Sequence, residues 1–280
     1  MFYSEKGAVF SAGDLRNFLG CKYACFQDWS VSMGKQKRPA LSAEEAVITE
    51  AGLKHEKKYL QSRKDRGVGV FEVPQQGTAE ERAELTKAAM RKGKEVVYQA
   101  ALYSHPWIGF ADFLIKCDEP SDLGDYSYYP LDTKLKKTAT ADHLIQLSLY
   151  AYLIAQVQGK MPSEARIITG DGAEKAVYTN IAHYYFLEAK NRLENFIAGH
   201  YFPSQPDPCK HCSDCAWKDG CDQIWESQDH LCRIANIRKT QIKKLKDNDI
   251  NTVTELVELD DNYNIKKLSS RIFQKIKKQA

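Results

Sequence analysis

GFADFLIKCDEPSDLGDYSYYPLDTKLKK, residues 109–137, holds two strand-like runs, and each carries an acid where an apolar residue is expected. The first run, residues 108–116, reads IGFADFLIK with Asp112 at its middle. The second, residues 128–136, reads YYPLDTKLK with Asp132 near its centre. A strand places residues i and i+2 on one face. Asp132 and Lys134 should therefore point one way, and Leu131, Thr133 and Leu135 the other. Buried salt bridges are a poor source of stability, because desolvating the charges offsets most of their attraction. A chemical reason fits better. A hard cation such as Mg²⁺ or Mn²⁺, held by carboxylate oxygens, can polarise a phosphoryl group, and an adjacent lysine can stabilise the charge that develops there.

Working outward, residues 140–158 read as a helix that ends at Gly159. Gln146 and Tyr150 lie four residues apart on one of its faces. Upstream, Ser42 and Glu45 form a capping box that opens a long helix to about residue 64. That helix carries His55, with Ile48 and Tyr59 on the same side, so His55 is expected to face inward. Residues 11–20 read as a short helix capped by Ser11, and residues 78–91 as an amphipathic helix. Further strands are expected at 68–73, 95–103, 165–169 and 176–181, and a further helix at 183–198. This order predicts an α/β fold, a central mixed sheet flanked by helices, with a small helical C-terminal unit.

The 280 residues are 43% hydrophobic and 28% charged, which suits a globular chain with a sizeable core. No apolar run is long enough to span a bilayer, and residues 1–20 contain Glu5, Asp14 and Arg16 rather than a signal peptide. A cytoplasmic location with no membrane partner is expected. The net charge of +3 is uneven: residues 233–280 carry a net +6 and the remainder −3. A basic tail suits either a polyanionic partner or a solvated lysine-rich surface.

Eight cysteines in a chain expected to be cytosolic call for something other than disulfides. PCKHCSDCAWKDGC contains Cys209, Cys212, Cys215 and Cys221, a density that points to a metal. Two readings stand. Either these four close a zinc site, with His211 as a substitute ligand, or three of them join a distant cysteine around an iron–sulfur cluster. Cys21 and Cys25 lie near the start of the chain, while Cys117 and Cys232 read as ordinary packed thiols.

His55 in GLKHEKKYL, Asp112 in GFADF, Asp132-x-Lys134 in PLDTK and Gln146-x-x-x-Tyr150 in QLSLYAY together resemble the PD-(D/E)XK nucleases. The resemblance is to the RecB-like branch, which includes the nucleases of CRISPR adaptation, and it runs from about residue 11 to 221. It implies a restriction-endonuclease-like fold and hydrolysis of DNA with Mg²⁺ or Mn²⁺. It makes His55, Asp112 and Asp132 the metal ligands, helped by the Thr133 carbonyl. Lys134 becomes the catalytic lysine, and Gln146 and Tyr150 orient the nucleic acid or that lysine. Ala111 stands where the family's name has proline. The resemblance also implies a 4Fe–4S cluster on Cys21, Cys212, Cys215 and Cys221, with Cys25 in reserve and Cys209 spare. The clasp would close a long loop across the nuclease core.

Residues 1–229 are thus expected to form the nuclease domain, including the cysteine cluster, and residues 230–280 a helical unit. Within the latter, residues 237–259 resemble a helix-hairpin-helix, with Asp249 in place of the usual glycine. The expected activity is that of an exonuclease on single-stranded DNA ends, with Lys136, Lys137, Gln146 and Tyr150 as DNA contacts. A helicase or another repair or CRISPR protein is the expected partner. A non-catalytic nucleic-acid-binding scaffold with the same fold, and an iron–sulfur redox or sensing protein, are the alternatives.

Overall fold

In a computed structural model, which describes residues 1–40, 42–138 and 140–280, the chain divides into two compact units, Met1–Phe202 and Pro203–Ala280. The boundary expected at residue 229 falls inside the second unit, so Cys209, Cys212, Cys215 and Cys221 belong with the C-terminal helices.

The first unit opens with a hairpin, β1 (Phe2–Ser4) and β2 (Gly7–Val9), then α1 (Ala12–Gly20) and α2 (Lys22–Ser32). There follow α3 (Ala43–Asp65), β3 (Val70–Glu72), α4 (Ala79–Arg91), β4 (Val96–Ser104), β5 (Trp107–Cys117), β6 (Ser127–Thr133), α5 (Ala141–Gln158), β7 (Glu164–Ile168), β8 (Glu174–Tyr178) and α6 (Thr179–Ala198). The capping boxes of Ser42 with Glu45 and of Thr78 with Glu81 start α3 and α4, and Ser11 caps α1. The last strand ends earlier than its sequence pattern predicts. Thr179 turns the chain there by donating from its hydroxyl to the Pro162 carbonyl, and residues 179–181 become the first turn of α6. The hairpin at the start, and α2, have too little apolar periodicity to be read from sequence.

Strands β3 to β8 form one mixed six-stranded sheet in sequence order. β4, β5 and β6 run as an antiparallel meander, and β6 and β7 pair parallel through the α5 crossover. Each face is covered. On one side Phe10, Leu15 and Phe18, with Leu149, Leu153 and Ile154 of α5 and Phe186 and Leu193 of α6, pack on Val97, Ala100, Ala111 and Leu114. On the other, Leu60 and Tyr59 of α3 meet Val96, Phe113, Ile115, Leu131 and Ile168. The fold is therefore α/β, a mixed sheet between helices.

The second unit contains a 3₁₀ turn (Lys210–Asp214), α7 (Lys218–Ser227), α8 (Lys239–Lys246), α9 (Val253–Glu258) and α10 (Ser270–Lys277). Leu231, Leu245, Ile250, Leu256, Leu268, Phe273 and Ile276 make its own apolar core. In the turn between α8 and α9, Asp249 takes φ +63°, the left-handed conformation a glycine would favour. Among the described residues no helix is long and apolar enough to cross a membrane.

Candidate active site

The alternation expected of IGFADFLIK breaks at Asp112. Ala111 and Leu114 face one core, whereas Phe113 and Ile115 face the other. The neighbouring strand breaks at the same level: Val97 and Ala100 share one face while Val96 and Tyr98 share the opposite one. Backbone pairing runs from Tyr98–Phe113 to Ala100–Ala111 and omits the Gln99–Asp112 pair, and Gln99 takes φ +52°. A non-glycine residue held there in a sheet interior stores strain, which persists only where the surroundings enforce it.

The ladder on the other side of β5 also ends here. Its last pair with β6 is Phe113–Leu131. Beyond it the Asp112 carboxylate takes over the strand's role, with Oδ2 accepting from Thr133 N at 2.7 Å and from Thr133 Oγ1 at 2.8 Å. Thr133 thus holds the Asp112 carboxylate with both its amide and its hydroxyl.

Asp132 is 1% exposed. The Lys134 ammonium stands in close ion-pair contact with its Oδ2, and no backbone amide or hydroxyl among the described residues donates to either Asp132 oxygen. Burial first, and then the Asp112 charge, push the Asp132 carboxyl up to about 7. Burial pulls the Lys134 ammonium down, but Asp132 and Asp112 outweigh it, and Lys134 ends above the ordinary lysine range.

The helix α3 contributes Glu56. Its buried carboxyl accepts from Gln99 Nε2, and burial, with Asp112 next, raises it above the usual range. His55 is turned differently: it is half-buried, and its Nε2 lies 3.4 Å from the Ile168 carbonyl oxygen. The expected inward stripe of Ile48, His55 and Tyr59 fails at its first member, since Ile48 is 55% exposed. The buried stripe is Glu56 and Leu60, one residue round the helix. The i, i+4 spacing of Glu56 and Leu60 was the signal that could have found it.

Gln146 and Tyr150 act as a relay to the strand that carries Asp112. Gln146 Nε2 donates to Tyr150 Oη at 2.7 Å, and Tyr150 Oη donates to the Phe110 carbonyl at 2.6 Å. Burial holds the phenol well above its ordinary range, with the Asp132 charge adding to it. The ring also explains Gly109: a Cβ there would lie 2.7 Å from Tyr150 Cδ1. At the start of α5, His143 faces the same lysines; burial, then Lys134 and Lys136, hold it below the usual histidine range. Lys136 and Lys137 are exposed just beyond Lys134.

The cysteines sort by environment. Cys25 is fully buried in the core of the first unit, and burial, with Asp14 and Asp28, drives its thiol far up. Cys21 lies where α1 meets α2. In the second unit Cys209 Sγ and Cys212 Sγ are 3.8 Å apart around the 3₁₀ turn, and Cys221 is buried on α7. No disulfide is present among the described residues. Also among them, no three His, Cys, Asp or Glu side chains are gathered into a group that could hold a metal ion. Asp132 nevertheless fits a cation, because apart from the Lys134 ammonium against Oδ2 its buried carboxylate oxygens have no donor among the described residues, and a bound ion would complete their partners.

No protein-family model matches the chain, and no curated protein does.

Proposed function

We propose that the first unit is a metal-dependent DNA phosphodiesterase of the PD-(D/E)XK, RecB-like kind, with a restriction-endonuclease-like sheet. The observation that carries this reading is the buried Asp132 carboxylate, which among the described residues has no donor besides the Lys134 ammonium and lies beside Asp112. The meander β4–β5–β6, the α5 crossover and the parallel β7 supply the scaffold such a site needs.

In this reading Asp112 and Asp132 hold Mg²⁺ or Mn²⁺, with Glu56 as the third carboxylate nearby. The resemblance would add His55. When bound, such an ion polarises the phosphoryl oxygen and lowers the pKa of a coordinated water. The chain's own groups do the rest. Lys134 stays protonated under the pull of both acids and stabilises charge on the scissile phosphate. Thr133 fixes the Asp112 carboxylate through two hydrogen bonds, so its remaining oxygen is aimed rather than free to swing. Gln146 and Tyr150 lock the β5 backbone at Phe110, two residues from Asp112. Exposed Lys136 and Lys137 offer phosphate contacts to a single strand leaving the site.

The resemblance would also give the chain a 4Fe–4S cluster. Four thiolates suit such a cluster, and the metal content of anaerobically purified protein decides: iron and a brown colour support it, stoichiometric zinc rejects it. The nuclease reading is tested by incubating labelled single- and double-stranded DNA with Mn²⁺, Mg²⁺ or EDTA. Cleavage that needs the cation and is lost in Asp132→Ala and Lys134→Ala is expected. Variants that cut as fast as wild type would overturn it.

A further inference from the structure

A cavity of about 300 Å³ opens between α3 and the β7–β8 turn. Its charged lining is Lys58, Arg63 and Arg66 against Asp171 and Glu174. The acids are already engaged. Asp171 accepts from Thr169 Oγ1 at 2.6 Å and Ala173 N at 3.3 Å, and Glu174 pairs with Arg166 at 2.8 Å. The cations are not. Among the described residues Lys58, Arg63 and Arg66 take part in no ion pair, although Lys54 and Lys64 of the same helix do, and Arg63 Nε is buried with no hydrogen-bond partner. The cavity meets the candidate active site through Ile168. This residue lines the cavity, and its carbonyl accepts from Lys134 N at 2.8 Å.

We propose that this cavity is a phosphate subsite, where Lys58, Arg63 and Arg66 hold a backbone phosphate of a single nucleic-acid strand beside the phosphate at the acids. The guanidinium forks match phosphate oxygens, and an unpartnered buried Nε is a donor without an acceptor. A strand that continues from Lys134 passes the Ile168 edge, so an internal diester, rather than a terminal phosphate, occupies the site. The position of that strand rests on the nuclease reading; the binding of phosphate by these cations does not.

The test uses the full chain with EDTA present, so that nothing is cut, and a fluorescein-labelled single-stranded oligonucleotide. Affinity is measured by anisotropy over a range of salt concentrations. Arg63→Gln/Arg66→Gln is expected to weaken binding by roughly tenfold and to flatten the salt dependence by about 0.7 in log–log slope, the value for one phosphate on a single strand. Because Arg63 is half-buried, Lys58→Gln/Arg66→Gln, which alters only exposed side chains, is measured beside it and should show the same trend. Strands with and without a 5′-phosphate should lose affinity equally. The proposal is overturned if both variants bind like wild type, if only end-phosphorylated strands respond, or if Lys243→Gln/Lys244→Gln in the second unit loses as much. Cleavage with Mn²⁺ is scored separately. Arginine-dependent binding without cleavage would leave the subsite standing and remove the nuclease reading. Cleavage with unchanged binding would do the reverse.

Discussion

The two units treat charge in opposite ways. The first buries Asp14, Asp28, Glu56 and Asp132, whereas the second buries no charged side chain among its described residues. The exceptions in the first unit also differ from one another. Asp14 Oδ2 accepts from Ser11 N at 2.8 Å and Ser11 Oγ at 2.7 Å, so its burial closes a helix cap. Asp132 has no such partners. Leaving a buried carboxylate oxygen without a donor costs a few kcal/mol in general. A fold whose second unit shows that a purely apolar core is within reach keeps this cost only at the sheet's irregular level. The contrast separates groups that build the fold from groups that the fold carries.

The largest effect should fall on activity. Asp132→Ala and Lys134→Ala are each expected to reduce DNA hydrolysis by roughly three orders of magnitude or more while far-ultraviolet circular dichroism stays that of wild type. A variant that loses folding and activity together would place Asp132 among the building groups and dissolve the comparison.

Next comes the second unit's core. Phe273 is 1% exposed among Leu245, Leu256 and Ile276. Phe273→Ala should cost about 3–5 kcal/mol, read by urea unfolding. In the first unit Gly109→Ala should cost about 1–3 kcal/mol, because its Cβ would meet the Tyr150 ring at 2.7 Å. It should also slow hydrolysis, since the displaced phenol is the donor to the Phe110 carbonyl. Stability lost with unchanged hydrolysis would remove Tyr150 from the positioning role.

The buried acid of the first unit adds a pH dependence of its own. Asp132 is pushed up to about 7, above its unfolded value. A group raised in this way binds its proton more tightly when folded. Its contribution is fully present below the unfolded pKa and is lost as pH rises through the folded one. Metal-free protein should therefore melt several degrees higher near pH 5 than near pH 8, and Asp132→Asn should flatten the difference. Added Mn²⁺ should narrow it as well, by favouring the deprotonated carboxylate.

Much of this was legible in the sequence. The capping box at Ser42, the cap at Ser11 and the turn at Gly159 mark the helices they bound. Asp132, Lys134, Gln146 and Tyr150 stand out because polar groups interrupt apolar runs at fixed spacing. What stayed hidden depends on long-range geometry. Strict alternation cannot foresee the break at Gln99 and Asp112, which two strands make together. A helical stripe read through His55 is one residue off, because the apolar weight of Ile48 misled it while Leu60 marked the true centre. The two compact units part at Phe202 and Pro203, at the start of a proline-rich run that leads to Cys209.

The smallest expected effect sharpens the comparison from the second unit's side. Asp249 sits exposed at φ +63°, between α8 and α9, in a conformation that disfavours a residue with a Cβ. Its backbone carbonyl accepts from Asn251 Nδ2 at 3.2 Å, and neighbouring Asn248 Oδ1 accepts from Lys266 N at 3.2 Å, so the turn is held by contacts that do not use the Asp249 side chain. Asp249→Gly should therefore relieve the backbone and stabilise the second unit by about 0.5 kcal/mol. It also removes a negative charge from the tip of a helical hairpin. If that hairpin touches a DNA backbone, the same variant should bind DNA more tightly at low salt, and the gain should vanish as salt rises. Added stability with no change in binding would leave α8 and α9 as a packing module.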